Sequence, residues 1–156
     1  MRRLARVLWS PAAVLALLAI AGCGSQSVPT NQTQPSLFPV TITATGGVAG
    51  FQDVLVVAAD GLVSVTRKGQ AQRQCQLTPA VTEALTTAVS QVAWPRMTPG
   101  SSTPSFPDDL VTMVQSPAGG PVRLEDSQIG TAGRVFQELL DDLNAGGSAS
   151  GMCTPI

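Results

Sequence analysis

The chain contains no histidine and no tyrosine, and its aromatic residues are only two tryptophans and four phenylalanines. Without histidine, neither a Ser-His-Asp nor a Cys-His arrangement for nucleophilic catalysis can be built. The HExxH motif and other His-ligated metal sites are excluded on the same ground. Basic residues are also few. Of the nine Lys and Arg, three (Arg2, Arg3 and Arg6) lie in the first six positions, which leaves six against ten acidic residues, a net charge of −4 for the remainder. With no basic patch and scarce aromatics, neither phosphate neutralisation nor base stacking is supplied, and nucleic acid is not an expected partner.

Other chemistries are missing by motif. Lys68 is the only lysine, and no SxxK surrounds it. No glycine-rich loop ends in GK[ST], Asp60-Gly61 is followed by Leu62 where an aspartic protease needs D-[ST]-G, and no DxDxDG spacing offers a calcium loop. Carboxylates do occur as neighbours: Asp108-Asp109, Glu125-Asp126 and Asp141-Asp142. Adjacent residues on a helix diverge by about 100°, and nothing selects a general acid and base among these pairs. The expectation is a protein that is not an enzyme, has no cofactor and binds no metal.

What is present begins with a targeting segment. Met1 to Arg6 is basic, Val7 to Ile20 is apolar apart from Ser10-Pro11, and Ile20-Ala21-Gly22-Cys23 has the order of a lipobox. Residues 1–22 therefore read as a lipoprotein signal peptide, and Cys23 as the residue acylated by membrane lipid. At about 0.8 kcal/mol per buried methylene, more than one acyl chain gives stable anchoring. Residues 23–38 follow as a lipidated cysteine and a Ser-, Pro-, Gln- and Thr-rich tether. The implied location is the extracytoplasmic side of a cell membrane.

With Cys23 lipidated, Cys75 and Cys153 remain. An even pair in an oxidising compartment predicts a disulfide, the alternative being two free thiols. The bond would tie the Gly/Ser-rich tail, residues 146–156, to the domain.

Residues 39–145 carry the folding pattern. Val40 to Thr45 alternates and is β-branched, Asp53 to Ala58 and Leu62 to Arg67 flank an Asp60-Gly61 hairpin signal, and Lys68 to Gln76 reads as a polar, exposed exit. Thr78-Pro79 opens a helix with an apolar face of Val81, Leu85, Ala88, Val89 and Val92, which Trp94-Pro95 ends. After a long loop from Pro95 to Pro107, two strands (Leu110 to Gln115, Pro121 to Glu125) and a second helix (Thr131 to Asn144) follow, with Gly146-Gly147 as its stop. The pattern predicts an α+β fold: a small, mainly antiparallel sheet of about four to five strands, with two helices packed on one face. Gly46, Gly47 and Gly50 fit a β-bulge or tight bend as well as they fit a contact role.

The segment Thr43 to Phe51, TATGGVAGF, resembles the opening of the emfourin family of protealysin inhibitors, in which a short strand runs into Ser/Thr-Gly-Gly-aromatic-Ala-Gly. The likeness continues through Ala93-Trp94 and Pro107-Asp108-Asp109 and spans about Val40 to Leu143, with Val48 standing where the family usually has an aromatic. The resemblance implies inhibition of a thermolysin-like zinc metalloprotease, secreted into the same compartment, and offers Gly46, Gly47, Val48, Ala49 and Gly50 as contact residues. Of the two exposed loops that offer themselves to a cleft, Gly46 to Gly50 and Pro95 to Pro107, the second is favoured by its length and proline stiffness. The competing reading is a non-catalytic envelope binding or structural module. A small-ligand carrier ranks below both, because two helices enclose little space.

Overall fold

The computed structural model describes residues 35–145 and 151–156. The signal peptide, Cys23, most of the tether and the Gly146-Gly147 stop lie outside the described residues. The strands are β1 (Val40–Gly46), β2 (Phe51–Val57), β3 (Leu62–Thr66), β4 (Arg73–Leu77), β5 (Leu110–Ser116), β6 (Gly119–Arg123) and β7 (Cys153–Pro155). The helices are α1 (Pro79–Ser90) and α2 (Gly130–Asn144). All seven strands form one sheet in the order β6-β5-β1-β2-β3-β4-β7, and every neighbouring pair is antiparallel.

The α+β class matches the sequence pattern, but the strand count does not: seven strands stand where four to five are expected. The stretch from Lys68 to Gln76 is not an exposed exit. Its second half is β4, in which only Cys75 and Leu77 are buried. Two inward residues in a polar pentapeptide give a weak alternation signal. The seventh strand comes from the tail, where Cys153–Pro155 pairs with β4 at the sheet edge, a contact that no local pattern announces.

Alternation sorts the sheet into two faces. Val40, Ile42, Leu55, Val57, Val63 and Val65 share one face and form a single core with Leu85 and Val89 of α1 and Phe136 and Leu139 of α2. Thr78 caps α1 as its sequence suggests, its Oγ1 accepting the N–H of Val81 at 3.4 Å. The helix stops at Ser90, earlier than Trp94. Trp94 instead folds back into the core, 1% exposed, and its Nε1–H donates to the Val89 carbonyl at 3.0 Å. The same carbonyl, in the last turn of α1, also accepts the N–H of Val92 at 3.3 Å. Gly119 lies so close to the Trp94 carbonyl that a Cβ there would collide with it.

Part of the opposite face is also covered. Val111 and Met113 of β5 are buried on it beneath the chain that follows Trp94. Gly100 donates its N–H to Pro121 O at 2.8 Å. Arg123 donates Nε–H to Ser101 O at 3.0 Å and Nη2–H to Thr103 O at 2.7 Å. The long loop is thus fastened across β5 and β6 for about half its length. Neither sheet edge offers a long free ladder, because β6 contains Pro121 and β7 is three residues ending in Pro155.

Candidate functional site: the hairpin tip and the end of the long loop

Gly46 and Phe51 face each other as the last pair of the β1–β2 ladder, and Gly50 N–H donates to Gly47 O at 3.0 Å, closing a four-residue turn with Val48 and Ala49 at its crest. The glycine segment is therefore a hairpin turn, the tight-bend member of the sequence alternatives. Gly46 has φ +94°, and a Cβ there would strike the Asp109 carbonyl oxygen. Glycine is required at this point by both conformation and space.

That near contact joins two segments that are far apart in sequence. Gly47 N–H donates to Asp109 O at 3.0 Å. Asp109 Oδ2 in turn accepts the backbone N–H groups of Ser105 (3.0 Å) and Phe106 (2.9 Å), and Asp109 N–H returns to Phe106 O at 3.1 Å. The end of the long loop is thus an ordered turn held by one carboxylate and docked against the hairpin. Lys68 Nζ donates to Gly50 O at 3.5 Å from the other side.

Four large apolar residues stand out of this end of the sheet: Val48 is 88% exposed, Phe106 70%, Leu110 51% and Phe51 44%. They make up most of the exposed large hydrophobic residues among those described. The two loops named from sequence therefore converge, but unevenly. The Gly46–Gly50 turn is wholly at the tip. Of Pro95 to Pro107, the first part lies over β5 and β6, and only the Ser105–Pro107 end reaches the hairpin. The sequence does not mark Phe51, Phe106 and Leu110 as contact residues, because an apolar residue beside a turn carries no local mark of exposure.

The chain enters the described fold at the other end of β1. There Ser116 Oγ–H donates to Leu37 O at 2.8 Å and accepts Ala118 N–H at 3.1 Å. Seven residues of β1 separate that point from the tip, roughly 20 Å at strand rise.

The predicted disulfide is present, with Cys75 and Cys153 bonded to each other, a Cα–Cα distance of 5.6 Å, and both residues buried. The carboxylate pairs serve the fold. Asp126 caps a short 3-10 turn by accepting Gln128 N–H at 2.9 Å, and Glu125 meets Arg123 at 3.3 Å. Asp141 accepts from Gln137 at 3.0 Å, whereas Asp142 points inward and is 3% exposed. The divergence of Asp141 and Asp142 follows the helical geometry, which leaves Asp141 exposed and Asp142 buried. Among the described residues, no group of three or more His, Cys, Asp or Glu could hold a metal ion, and no helix is long and apolar enough to cross a membrane.

No family model, no curated protein and no solved structure matches this chain.

Proposed function

We propose that this chain is a lipid-anchored envelope protein whose domain binds a thermolysin-like zinc metalloprotease with the hairpin tip and blocks its cleft. The observation that carries the reading is the apolar end formed by Val48, Phe51, Phe106 and Leu110 on a braced turn. Contiguous exposed apolar residues mark interaction surfaces. A turn already fixed by Asp109 and Gly46 loses less entropy on docking than a floppy peptide would. The emfourin-like segment Thr43 to Phe51 falls on this same tip. Acylation at Cys23 would tether the domain from the Leu37 end, about 20 Å from Val48, leaving the tip to face a secreted partner.

A second reading has its own support. Asp109 Oδ2 at the tip is engaged by the backbone N–H groups of Ser105 and Phe106, which competes with binding a catalytic zinc. That favours a binding or structural module that covers a partner surface without entering a metal site. The deciding experiment is residual hydrolysis of a small peptide by a thermolysin-like protease as a soluble form, residues 24–156, is added in excess. Progressive loss of activity supports the inhibitor. Full activity at every ratio transfers the reading to the non-inhibitory module.

A further inference from the structure

Beside the tip, the core face of the sheet runs out from under α2. The inward positions of β1 shrink from Ile42 through Ala44 to Gly46, so the space between sheet and helix is not filled at this end. The result is a groove of about 400 Å³ between the tip ends of β1–β3 and the last turns of α2. Ile42, Leu55 and Val65 form its floor, Leu140 and Leu143 its helical wall, and Phe51 and Leu110 its mouth.

We propose that this groove receives one large uncharged apolar side chain, aliphatic or aromatic, carried by the protein that covers Val48; the proposal rests on the reading of the tip as a partner-binding end. Two features choose this occupant. The first is charge. Among the described residues, Asp53 and Arg67 are the only formally charged ones lining the groove, and they face each other at 3.5 Å. The Arg67 guanidinium is further used at the end of α2, where Nη2–H donates to Asn144 Oδ1 (2.6 Å) and Leu143 O (3.4 Å). The lining is therefore neutral. It offers no counter-ion for an ionic head group, and burying an unpaired charge there would be unfavourable. The second feature is continuity. Phe51 and Leu110 belong both to the groove mouth and to the exposed tip, so a partner seated on Val48 extends over the opening. Anchor residues of protein interfaces occupy such pockets, surrounded by weaker contacts.

The test separates the groove from the inhibitory reading. Residues 24–156 with labelled Ile, Leu and Val methyl groups are titrated with N-acetyl-phenylalaninamide, N-acetyl-leucinamide and, separately, sodium decanoate. Saturable shifts at the Ile42, Leu55 and Leu140 methyls are expected with the capped amino acids. Ala44→Phe, which fills the floor, should abolish them, whereas Val48→Asp should leave them in place. Leu140→Ala, an independent variant that widens the groove, should weaken probe binding at least threefold. In the protease titration, Ala44→Phe should inhibit at least tenfold more weakly than wild type. Absence of saturable shifts in the wild type overturns the proposal, as does saturation by decanoate alone, which would assign the groove to a small amphiphile. If the wild type inhibits and Ala44→Phe inhibits equally well, the groove proposal fails while the inhibitory reading stands. Saturation by the capped amino acids without protease inhibition supports the groove and rejects the zinc protease as the partner.

Discussion

Asp109 receives the N–H of Gly47 on its carbonyl at 3.0 Å while its carboxylate receives Ser105 and Phe106. One residue thereby locks the β1–β2 hairpin to the end of the long loop, and the apolar tip depends on it. Asp109→Ala removes two charge-assisted bonds, both exposed to solvent, and should cost about 1–2 kcal/mol. Amide exchange at Ser105 and Phe106 should rise far more than exchange in α1. Equal protection in the variant would show that the turn is held by something else.

Gly46→Ala attacks the same junction from the other strand. The residue has φ +94° and no room for a Cβ beside Asp109 O, so a loss of about 1–3 kcal/mol is expected from urea unfolding. Gly69→Ala, also at positive φ but with open space around it, should lose less. A smaller loss at Gly46 than at Gly69 would contradict the close packing of the two segments.

The inner half of the long loop depends on Arg123. Its two bonds to Ser101 O and Thr103 O predict that Arg123→Ala frees residues 101–104, while Gly100 stays held by Pro121 O. The expected signs are faster exchange there, a stability loss of about 1–2 kcal/mol, and easier proteolytic nicking in the loop. An unchanged cleavage pattern would count against that role.

Cys75–Cys153 closes a loop with a sequence separation of 78. The chain-entropy relation gives about 4–5 kcal/mol as an upper figure for its removal. The Cys75→Ser/Cys153→Ser pair should fall short of that figure and lose exchange protection first in β7, since the strand is only three residues long. Loss of protection beginning in β1 instead would mean that the bond supports the whole sheet.

Much of this architecture can be read along the chain where its causes are local. VTITAT alternates because one face of β1 meets the core. Asp60-Gly61 turns β2 into β3, and Thr78-Pro79 starts α1 through a cap that is present in the fold. The Cys75–Cys153 bond expected from the sequence is present. Other features depend on contacts between distant segments. β7 exists only because β4 is beside it, and Trp94 reads as a helix stop until its indole is seen bonded to Val89 O. The tip itself was half legible. Glycines mark the turn, but nothing near Gly47 in sequence names Asp109, and nothing near Leu110 shows that it stands beside Phe51. The groove could not be read at all, because it depends on how far α2 extends over the sheet.

The anchor requires a separate measurement, because Cys23 lies outside the described residues. Mass spectrometry of the mature N-terminus should find an acylated Cys23 and cleavage after Gly22, with Cys23→Ala neither cleaved there nor acylated. An unmodified cysteine or a different cleavage site would remove the membrane tether from the proposal.

The most direct test of the central claim compares wild-type residues 24–156 with Val48→Asp in one titration against a thermolysin-like zinc protease. Val48 is 88% exposed at the crest of the turn, so the substitution should leave folding stability within about 0.5 kcal/mol. The expected result is inhibition by the wild type that saturates near one domain per enzyme, with at least tenfold weaker inhibition by Val48→Asp. Unimpaired peptide hydrolysis with excess wild type, or equal inhibition by the two proteins, would contradict the claim that this tip is the blocking surface.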